Sequence, residues 1–403
     1  MADPVAVTGI GLVTPAGIGA AANWERLCSG ISTATSHDDM KDLPVTFACR
    51  VPDFDAVDLL GGKVAWHLDP VTQFALVAAR EAISDAGLDP ATWEAARVGV
   101  VIGSCVGGAR TAAEQNDRLF RRGPQAVSPM FLPMHLVNMT AGLVGIHCNA
   151  QGQNMVVSTA CASGASAIGV ARDLLNSGRC DIVIAGGAEA AITPLFVSGF
   201  ARMGTLSTRN HDPATASRPF AADRDGFVMG EGAGMLVLER PADAAARGAR
   251  TWAQVAGYGN SADAHHITSP HPEGRGARSA AREACLDAGI STADVQHVNA
   301  HGSATKLNDA IEAKCIEGLF PHAITTSAKG VIGHTLGAAG AIEAAYTAMT
   351  LYHQVIPPTA NLLLHDPGVD INVATKATPA SVELAVSNAF GFGGHNAVLV
   401  MSK

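Results

Sequence analysis

The strongest constraint on the fold is a unit that recurs along the chain: a short β-branched run, then glycine or other small residues, then a helical pattern. Strands that alternate with helices in this way predict βαβ units around a buried sheet. The predicted strands are VAVTGIG from residue 5, VGVVIGS from 98, MVVST from 155, DIVIAGG from 181, GMLVLER from 234, VQHVNAHG from 295 and NAVLVMS from 396.

The second half of the chain has the same texture as the first. VVSTACASGASAIGVA (156–171) and ITTSAKGVIGHTLGAAGAIEAA (324–345) each combine a short strand, a joint of small residues and an alanine-rich helix. We therefore predict two similar halves, 1–255 and 256–403, that pack against each other through a shared interface and do not move independently about a flexible linker.

Composition narrows the class of protein. Hydrophobic residues make up 48% of the 403 residues and aromatic residues only 5%, which favours a well-packed α/β protein of small side chains. A net charge of −9 and the lack of a long Lys/Arg stripe argue against nucleic-acid binding. The eight cysteines form no C-x-x-C pair, and neither a leader pattern nor an apolar run long enough for a membrane span is present. These features predict a cytoplasmic protein with reduced thiols and no membrane partner.

Reactive side chains stand at several predicted strand ends. Cys161, His301, Lys329 and His334 each lie beside glycines or small residues. Singly, each has a structural explanation, because free cysteine often acts as a small hydrophobe and a histidine in a glycine-rich loop is often a satisfied core residue. Together they suit thioester chemistry, in which a thiolate attacks an acyl carbonyl and imidazole N–H groups stabilise an enolate. The helix that follows Cys161 is expected to lower the pKa of its thiol.

Motifs along the whole chain carry a specific resemblance. They are VAVTGIGLVTPAG, GGAEAAITPLFVSGF, LSTRN, SRPF…RDGFVMGEGAGMLVLE, SADAHHITSP and SNAFGFGGHNAVLV, in this order. The chain thereby resembles the β-ketoacyl synthases, the condensing enzymes of the thiolase superfamily. The resemblance implies a thiolase fold, with two similar βαβαβ halves packed as a five-layered αβαβα sandwich. It also implies an acyltransferase that condenses malonyl groups with an acyl chain, both delivered on the phosphopantetheine arm of acyl carrier protein, with no organic cofactor or catalytic metal.

The same resemblance assigns roles to individual residues. Cys161 is the expected nucleophile, and His301 and His334 are the two histidines that hold the extender thioester. Lys329 matches the family lysine that orders this side of the site, and Glu312 matches the acidic residue of the family's HG…E motif. Phe390 is expected to supply an oxyanion-hole N–H, together with that of Cys161, and to gate the site with its ring.

Weaker assignments concern the substrate channel and a structural ion. The expected substrate-binding residues are Thr268, Ser303 and Thr305 along the pantetheine arm and Val106, Phe200, Phe392 and, across a dimer interface, Phe131 around the acyl pocket. Asn299, Glu343, Ser387 and Asn388 match a monovalent-ion site of some family members, and a plain hydrogen-bond network is an equally good interpretation of them.

Two subfamilies fit these motifs. TACASG and HHITSP are similar to the elongating fatty-acid synthases, which act as homodimers, whereas HGSATKLND is similar to the catalytic ketosynthases of type II polyketide systems. We favour the polyketide interpretation, which implies a chain-length-factor subunit as a heterodimeric partner. Of the family's basic carrier-docking positions, Lys63 remains, and Arg121, Arg122 or Arg202 are the expected substitutes for the others.

Other classes of function fit less well. Gly9 and Gly11 begin a dinucleotide-binding pattern, but Thr14 stands where its third glycine belongs. A non-catalytic chain-length factor is expected to lack Cys161, and chain-initiating synthases usually have asparagine in place of the second histidine, here His334.

Overall fold

The strands of the chain form one arrangement twice. In the computed structural model, which describes residues 3–403, the predicted strands are all present. The strands are β1 Val5–Thr14, β2 Gly17–Ile18, β3 Thr35–Ser36, β4 Phe47–Ala48, β5 Val98–Gly103, β6 Asn154–Val157, β7 Ile182–Glu189, β8 Gly232–Glu239, β9 Ala253–Ala262, β10 His297–Asn299, β11 Ile324–Thr326, β12 Val355–Ile356, β13 Thr378–Pro379, β14 Leu384–Gly391 and β15 His395–Ser402.

Helices alternate with these strands, as the sequence predicts. They are α1 Ala20–Ser29, α2 Ala56–Leu60, α3 Gly62–Ala65, α4 Pro70–Asp85, α5 Ala109–Arg122, α6 Phe131–His135, α7 Met139–His147, α8 Ser163–Asn176, α9 Pro194–Arg202, α10 Pro241–Ala246, α11 Arg275–Asp287, α12 Lys306–Leu319, α13 Lys329–Ile332 and α14 Ala339–His353. None of the helices in residues 3–403 combines the length and apolarity that crossing a bilayer requires.

The sheet order confirms that the second half repeats the first. The strand order is β6-β5-β7-β8-β1 in the first half and β11-β10-β14-β15-β9 in the second, with parallel and antiparallel neighbours at matching places. The halves join where β1 pairs antiparallel with β9, Ala6 opposite Gln254. The predicted division after residue 255 falls within β9, so the strands define the two halves better than that boundary does.

Two alanine-rich helices, α8 and α14, form the layer between the halves. All residues from Ala339 to Leu351 of α14 are buried. A Cβ on Gly164 of α8 would lie 2.6 Å from the backbone N of Ala341, so glycine is needed where the two helices touch. Helices α4 and α7 pack on the first half, and α11 and α12 pack on the second. The layers are those of the expected αβαβα thiolase fold.

The outer edges of the two halves differ. At the second edge, the backbone N–H of Thr325 in β11 donates to Asn372 (2.7 Å) and the Thr325 carbonyl accepts from Ala374 (3.0 Å). At the first edge, β6 pairs within residues 3–403 only with β5, and its Asn154 is exposed. An unpaired strand edge is a template for pairing with another chain.

Candidate active site

Loops from both halves line one cavity of about 620 Å³ at the carboxyl ends of the parallel strands. Ligands in α/β folds bind at this end because the loops there carry side chains from several strands to one place. The loops contribute Cys105 and Val106 after β5, Cys161 after β6, His301 after β10, His334 after β11 and Phe392 after β14.

Cys161 sits on a tight turn between β6 and α8. The preceding residue, Ala160, has φ 50°, a left-handed conformation that is uncommon for a residue other than glycine. Ser163 braces the turn, since its Oγ accepts from the Thr159 N–H (2.9 Å) and donates to the Ala160 carbonyl (2.5 Å). The turn brings Cys161 to the cavity wall, where it is partly exposed.

The end of β14 closes on this turn from the other half. A Cβ on Gly391 would lie 2.6 Å from the Thr159 carbonyl oxygen and 3.0 Å from the Cys161 N, so only glycine allows this approach. The backbone N–H groups of Phe392 and of Cys161 itself both favour a lower pKa of the Cys161 thiol. Backbone N–H groups are the kind of donor from which an oxyanion hole is built.

The role of the Phe390 N–H as an oxyanion-hole donor stays a prediction. The N–H groups that affect the pKa of the thiol belong to Phe392 and Cys161, whereas Phe390 lies within β14 opposite Asn396 of β15. Only Gly391 separates the two positions, and β14 ends at that residue. The Phe390 ring still lines the cavity and packs on the His301 ring, 5.8 Å between centroids.

The expected lowering of the Cys161 pKa is also not found. Burial raises the pKa of the Cys161 thiol to about 12, although the charge of Lys329 and the Phe392 N–H oppose the rise. Desolvation disfavours a charged sulfur, and here it outweighs the donors around it. The thiol is therefore neutral at rest.

The two predicted histidines face each other across the cavity. The ring centroids of His301 and His334 lie 5.3 Å apart and their planes are nearly perpendicular at 84°. Burial, followed by the charge of Lys329, holds the pKa of both imidazoles well below the usual range. Both rings are neutral, so each keeps one N–H to donate, and the buried Nδ1 of each has no hydrogen-bond partner within residues 3–403.

Glu312 holds the loop that carries His301. Its carboxylate accepts the backbone N–H groups of His301 (2.8 Å) and Gly302 (2.7 Å). Side-chain amides of Asn388 (3.1 Å) and Asn308 (3.2 Å) also donate to it. Glu312 is buried on α12 behind the cavity wall, and it acts on the site by positioning His301.

Lys329 is likewise behind the wall. Its Nζ lies 2.5 Å from Oε1 of Glu343, and both side chains are only 1% exposed. Burial raises the pKa of Glu343 to about 7, against the opposing charge of Lys329. The ammonium supplies positive charge near the thiol and the two imidazoles without lining the cavity.

The predicted substrate-channel residues divide into two groups. Phe131 does not line the cavity of the single chain; it lies on α6 and stacks on His135 at 5.3 Å, so its role across a dimer interface stays a prediction. The predicted residues that do line the cavity are Thr268, Ser303, Thr305, Val106, Phe200 and Phe392.

Sequence reasoning missed two buried charged residues beside the cavity. Glu189, at the end of β7, is fully buried and accepts from the loop after β5. A carboxylate at the end of the apolar run DIVIAGGAE was the available signal. Arg224 donates to the carbonyl oxygens of Thr305 (3.2 Å) and Lys306 (2.9 Å), and its place at the start of the RDGF motif was the available signal.

Comparisons with known proteins agree with this geometry. A family model described as the N-terminal domain of β-ketoacyl synthase matches residues 2–244, and the model of the C-terminal domain matches residues 252–363. A 3-oxoacyl-acyl-carrier-protein synthase 2 of Synechocystis sp. is 43% identical over 407 residues, which span 99% of this chain and 98% of the relative.

Solved structures match as closely in shape. The ishigamide ketosynthase/chain length factor superposes with a TM-score of 0.94 at 31% identity, covering 100% of both chains. A complex of a type II polyketide acyl-carrier protein with its ketosynthase, bound to the hexaketide, superposes with a TM-score of 0.90 at 29% identity, covering 100% of this chain and 99% of the other.

Proposed function

The chain belongs to the β-ketoacyl synthase family, a family of acyltransferases, and we propose that it elongates acyl chains on acyl carrier protein as a 3-oxoacyl-carrier-protein synthase. The observation that carries the proposal is that Cys161, His301 and His334 meet at one cavity from strand ends of both halves. All three side chains are kept neutral by burial, which suits a thiol that must accept an acyl group and imidazoles that must donate N–H groups.

In the loading step, the Cys161 sulfur attacks the thioester carbonyl of an acyl carrier protein. The new bond joins the acyl carbon to Sγ, and the bond to the pantetheine sulfur breaks. The N–H groups of Cys161 and Phe392 stabilise the oxyanion of the intermediate. Because the pKa of the thiol is about 12, its proton leaves only as attack proceeds and ends on the departing pantetheine thiolate.

In the condensation step, His301 and His334 donate N–H groups to the thioester oxygen of a malonyl group. Loss of carbon dioxide leaves an enolate whose charge these donors stabilise. The enolate carbon attacks the acyl carbon on Cys161, the carbon–sulfur bond breaks, and Cys161 leaves as a thiolate that takes up one proton from solvent. The product is a β-ketoacyl chain longer by two carbons on the carrier protein.

Identity favours a fatty-acid type of elongation. The Synechocystis relative, named 3-oxoacyl-acyl-carrier-protein synthase 2, is 43% identical over nearly the whole chain, whereas the polyketide structures are 29–31% identical. The motifs alone favoured the polyketide subfamily, whereas the sequence identities favour the fatty-acid subfamily.

A polyketide ketosynthase remains the second candidate because of the KLND segment, residues 306–309. Asp309 accepts the Phe220 N–H (2.8 Å) and lies 3.6 Å from Arg224, while Asn308 donates to Glu312. The motif that favours the polyketide subfamily thus holds the His301 loop in place.

One experiment separates the two candidates. The purified chain, alone, is incubated with acyl- and malonyl-carrier proteins, and the Cys161 peptide and the product are followed by mass spectrometry. The elongating synthase loads Cys161 and makes a β-ketoacyl product without another protein. Loading that requires a co-purified chain-length subunit favours the polyketide role, and an acyl group on any peptide other than that of Cys161 overturns the catalytic assignment.

We infer further that a second copy covers the β6 edge. Helix α7 packs on β6 and carries Ile146, which is 71% exposed, and α6, which contacts α7, carries Leu132, which is 56% exposed. Ile146→Asp is expected to shift the dimer toward monomer in sedimentation, and Leu286→Asp, at a residue 74% exposed on the second half, is the matched control. Equal behaviour of the two variants argues against this interface.

Carrier docking is assigned to the basic end of α5. Arg121 and Arg122 are exposed there, although Arg121 is paired with Asp117 (2.5 Å). Surface charge pairs of this kind are weak and screened by salt, so a carrier carboxylate can compete for the arginine. Replacing both arginines by glutamine is expected to raise the KM for carrier-bound substrate, and an unchanged, salt-sensitive KM excludes them.

A structural monovalent cation fits behind His301. Buried oxygens with no hydrogen-bond partner within residues 3–403 occur on each predicted ligand, which argues against a closed hydrogen-bond network: Asn299 Oδ1, Glu343 Oε2, Ser387 Oγ and Asn388 Oδ1. Oxygen donors suit a hard cation. Potassium or sodium is expected to raise the melting temperature relative to tetramethylammonium, and Ser387→Ala is expected to reduce that difference. Equal melting temperatures in all three salts exclude the ion.

A further inference from the structure

Glu189 is a buried carboxylate that the condensation chemistry leaves unassigned. It ends β7 and is 0% exposed. Its carboxylate accepts the backbone N–H groups of Cys105 (2.8 Å) and Val106 (3.3 Å) and the Ser104 hydroxyl (3.2 Å). Burial raises the pKa of Glu189 to about 7, and these donors oppose the rise. The donors in the turn formed by residues 104–106 therefore stabilise the ionised form of the Glu189 carboxylate.

That turn is part of the cavity wall. Cys105 and Val106 both line the cavity next to Cys161, and Cys105 Sγ lies 3.9 Å from Ser163 Oγ in the turn of the nucleophile. The position of the 104–106 turn therefore sets the space beside the acylated sulfur.

Gly337 of the second half packs closely against the same Glu189 carboxylate. A Cβ on Gly337 would lie 2.5 Å from Glu189 Oε2 and 2.8 Å from the Cys105 N. Gly337 follows His334 by three residues, so the segment that carries this histidine packs directly on the bond between Glu189 and Cys105.

The duplicated fold provides an internal precedent. The loop after β10 corresponds to the loop after β5, and Glu312 accepts the N–H groups of His301 and Gly302 there as Glu189 accepts those of Cys105 and Val106. The two carboxylates come from different elements, α12 and β7, and do the same work at equivalent loops.

We propose that Glu189 is a positioning residue that holds the 104–106 turn as a wall of the acyl pocket and so sets acyl-chain selectivity. The inference rests on the proposed role of the cavity as the acyl site. Replacing the Glu189 carboxylate by an amide removes one acceptor and places an NH₂ group opposite backbone N–H donors. The 104–106 turn then loses hydrogen bonds and can move away from the acyl pocket, so longer acyl chains are expected to be accepted better.

The first test does not depend on activity. Hydrogen exchange of the peptide containing residues 104–106 is compared at pH 8 between wild type, Glu189→Gln and Glu239→Gln. Glu239 is the matched control, a buried carboxylate (2% exposed) opposite Ile182 at the other end of the β7–β8 pair. Exchange in Glu189→Gln is expected to be about tenfold faster, the change that follows from losing one hydrogen bond to a charged acceptor. Equal exchange in wild type and Glu189→Gln overturns the proposal.

The second test is one that a merely structural role would not affect. The ratio of kcat/KM for dodecanoyl- and hexanoyl-carrier protein is expected to shift about tenfold toward the longer chain in Glu189→Gln, and to stay at the wild-type value in Glu239→Gln. An unchanged ratio, with faster exchange, overturns the selectivity role. Glu189→Asp moves the carboxylate away from the turn, so it is expected to speed hydrogen exchange and to shift the kcat/KM ratio in the same directions as Glu189→Gln. It replaces Glu189→Gln in both tests if the glutamine variant does not fold. Loading of wild-type Cys161 is scored separately, so a failure of the condensing function is distinct from a failure of this inference.

Discussion

The two halves of the molecule have the same strand order and the same strand-to-helix joints, yet they supply different chemistry to the cavity. The joint after β6 carries the thiol of Cys161, and the joint after β11, its counterpart, carries His334. The loop after β5 carries Cys105 and Val106 where the loop after β10 carries His301. A duplicated fold thus provides two equivalent positions at one cavity, and side-chain identity divides the work between them.

Burial shifts the pKa of the thiol and the pKa of the two imidazoles in opposite directions, and both shifts favour the neutral form. It raises the pKa of Cys161 and lowers the pKa of His301 and His334. A buried site disfavours whichever form is charged, so an acid and two bases all become neutral. We therefore expect the first half to carry the acyl group and the second to stabilise the enolate, as separable functions.

The largest effect is expected from removing the nucleophile. Cys161→Ala should lower β-ketoacyl product formation by more than about a thousandfold, since loss of a nucleophile removes the covalent route. Release of carbon dioxide from malonyl-carrier protein should persist, because it needs only the second half. Labelled carbon dioxide and product are measured together, and loss of both would show that the halves do not divide the work.

The converse change is in the second half. His301→Ala or His334→Ala should slow carbon dioxide release about 10²- to 10³-fold, the usual cost of removing one oxyanion donor. Acylation of Cys161, measured by intact-protein mass spectrometry, should remain much closer to wild type. An equal loss of acylation and decarboxylation would mean that the histidine serves both halves alike.

Acid sensitivity should also arise in the second half. Burial lowers the pKa of His297 to about 4, and its Nδ1 lies 2.9 Å from the Ile324 carbonyl oxygen of the neighbouring strand. An unfolded histidine takes up its proton near pH 6.5, so stability is fully present above that pH and falls by about 3 kcal/mol as pH drops toward 4. His297→Gln should remove this part of the pH dependence. The free energy of unfolding of both proteins is measured with denaturant at pH 7 and at pH 5. An equal loss of stability between these pH values in wild type and in His297→Gln would exclude His297 as the cause.

The smallest effect is expected from the positioning carboxylate of the second half. Glu312→Gln should lower kcat about tenfold with little change in KM, because one backbone N–H of the His301–Gly302 pair loses its charged acceptor. Glu317→Gln, an exposed residue on the same helix, is the control. A loss confined to KM would place Glu312 in substrate binding.

Local pattern was sufficient for much of the fold and for the central residues of the site. The β-branched runs ending in small residues placed β5, β6 and β7 correctly, and the similar textures of 156–171 and 324–345 indicated the duplication that the sheet order confirms. Such signals are local, because strand and helix preferences and glycine joints depend on neighbours along the chain. Cys161, His301 and His334 were predicted from family motifs, and the structure brings all three to one cavity.

By itself, then, the sequence determined the fold class, the family and three candidate catalytic residues that line one cavity, whereas tertiary structure decided the properties that depend on surroundings. The Phe392 N–H affects the pKa of the Cys161 thiol although the two residues are far apart in the chain, and β14 ends just before Phe392. The Cys161 thiol is neutral because desolvation outweighs the donors around it. Glu189 bonds to a loop more than eighty residues away in the chain, as the separation of 84 from Cys105 shows. Hydrogen bonding and burial join distant segments, and no local pattern encodes them.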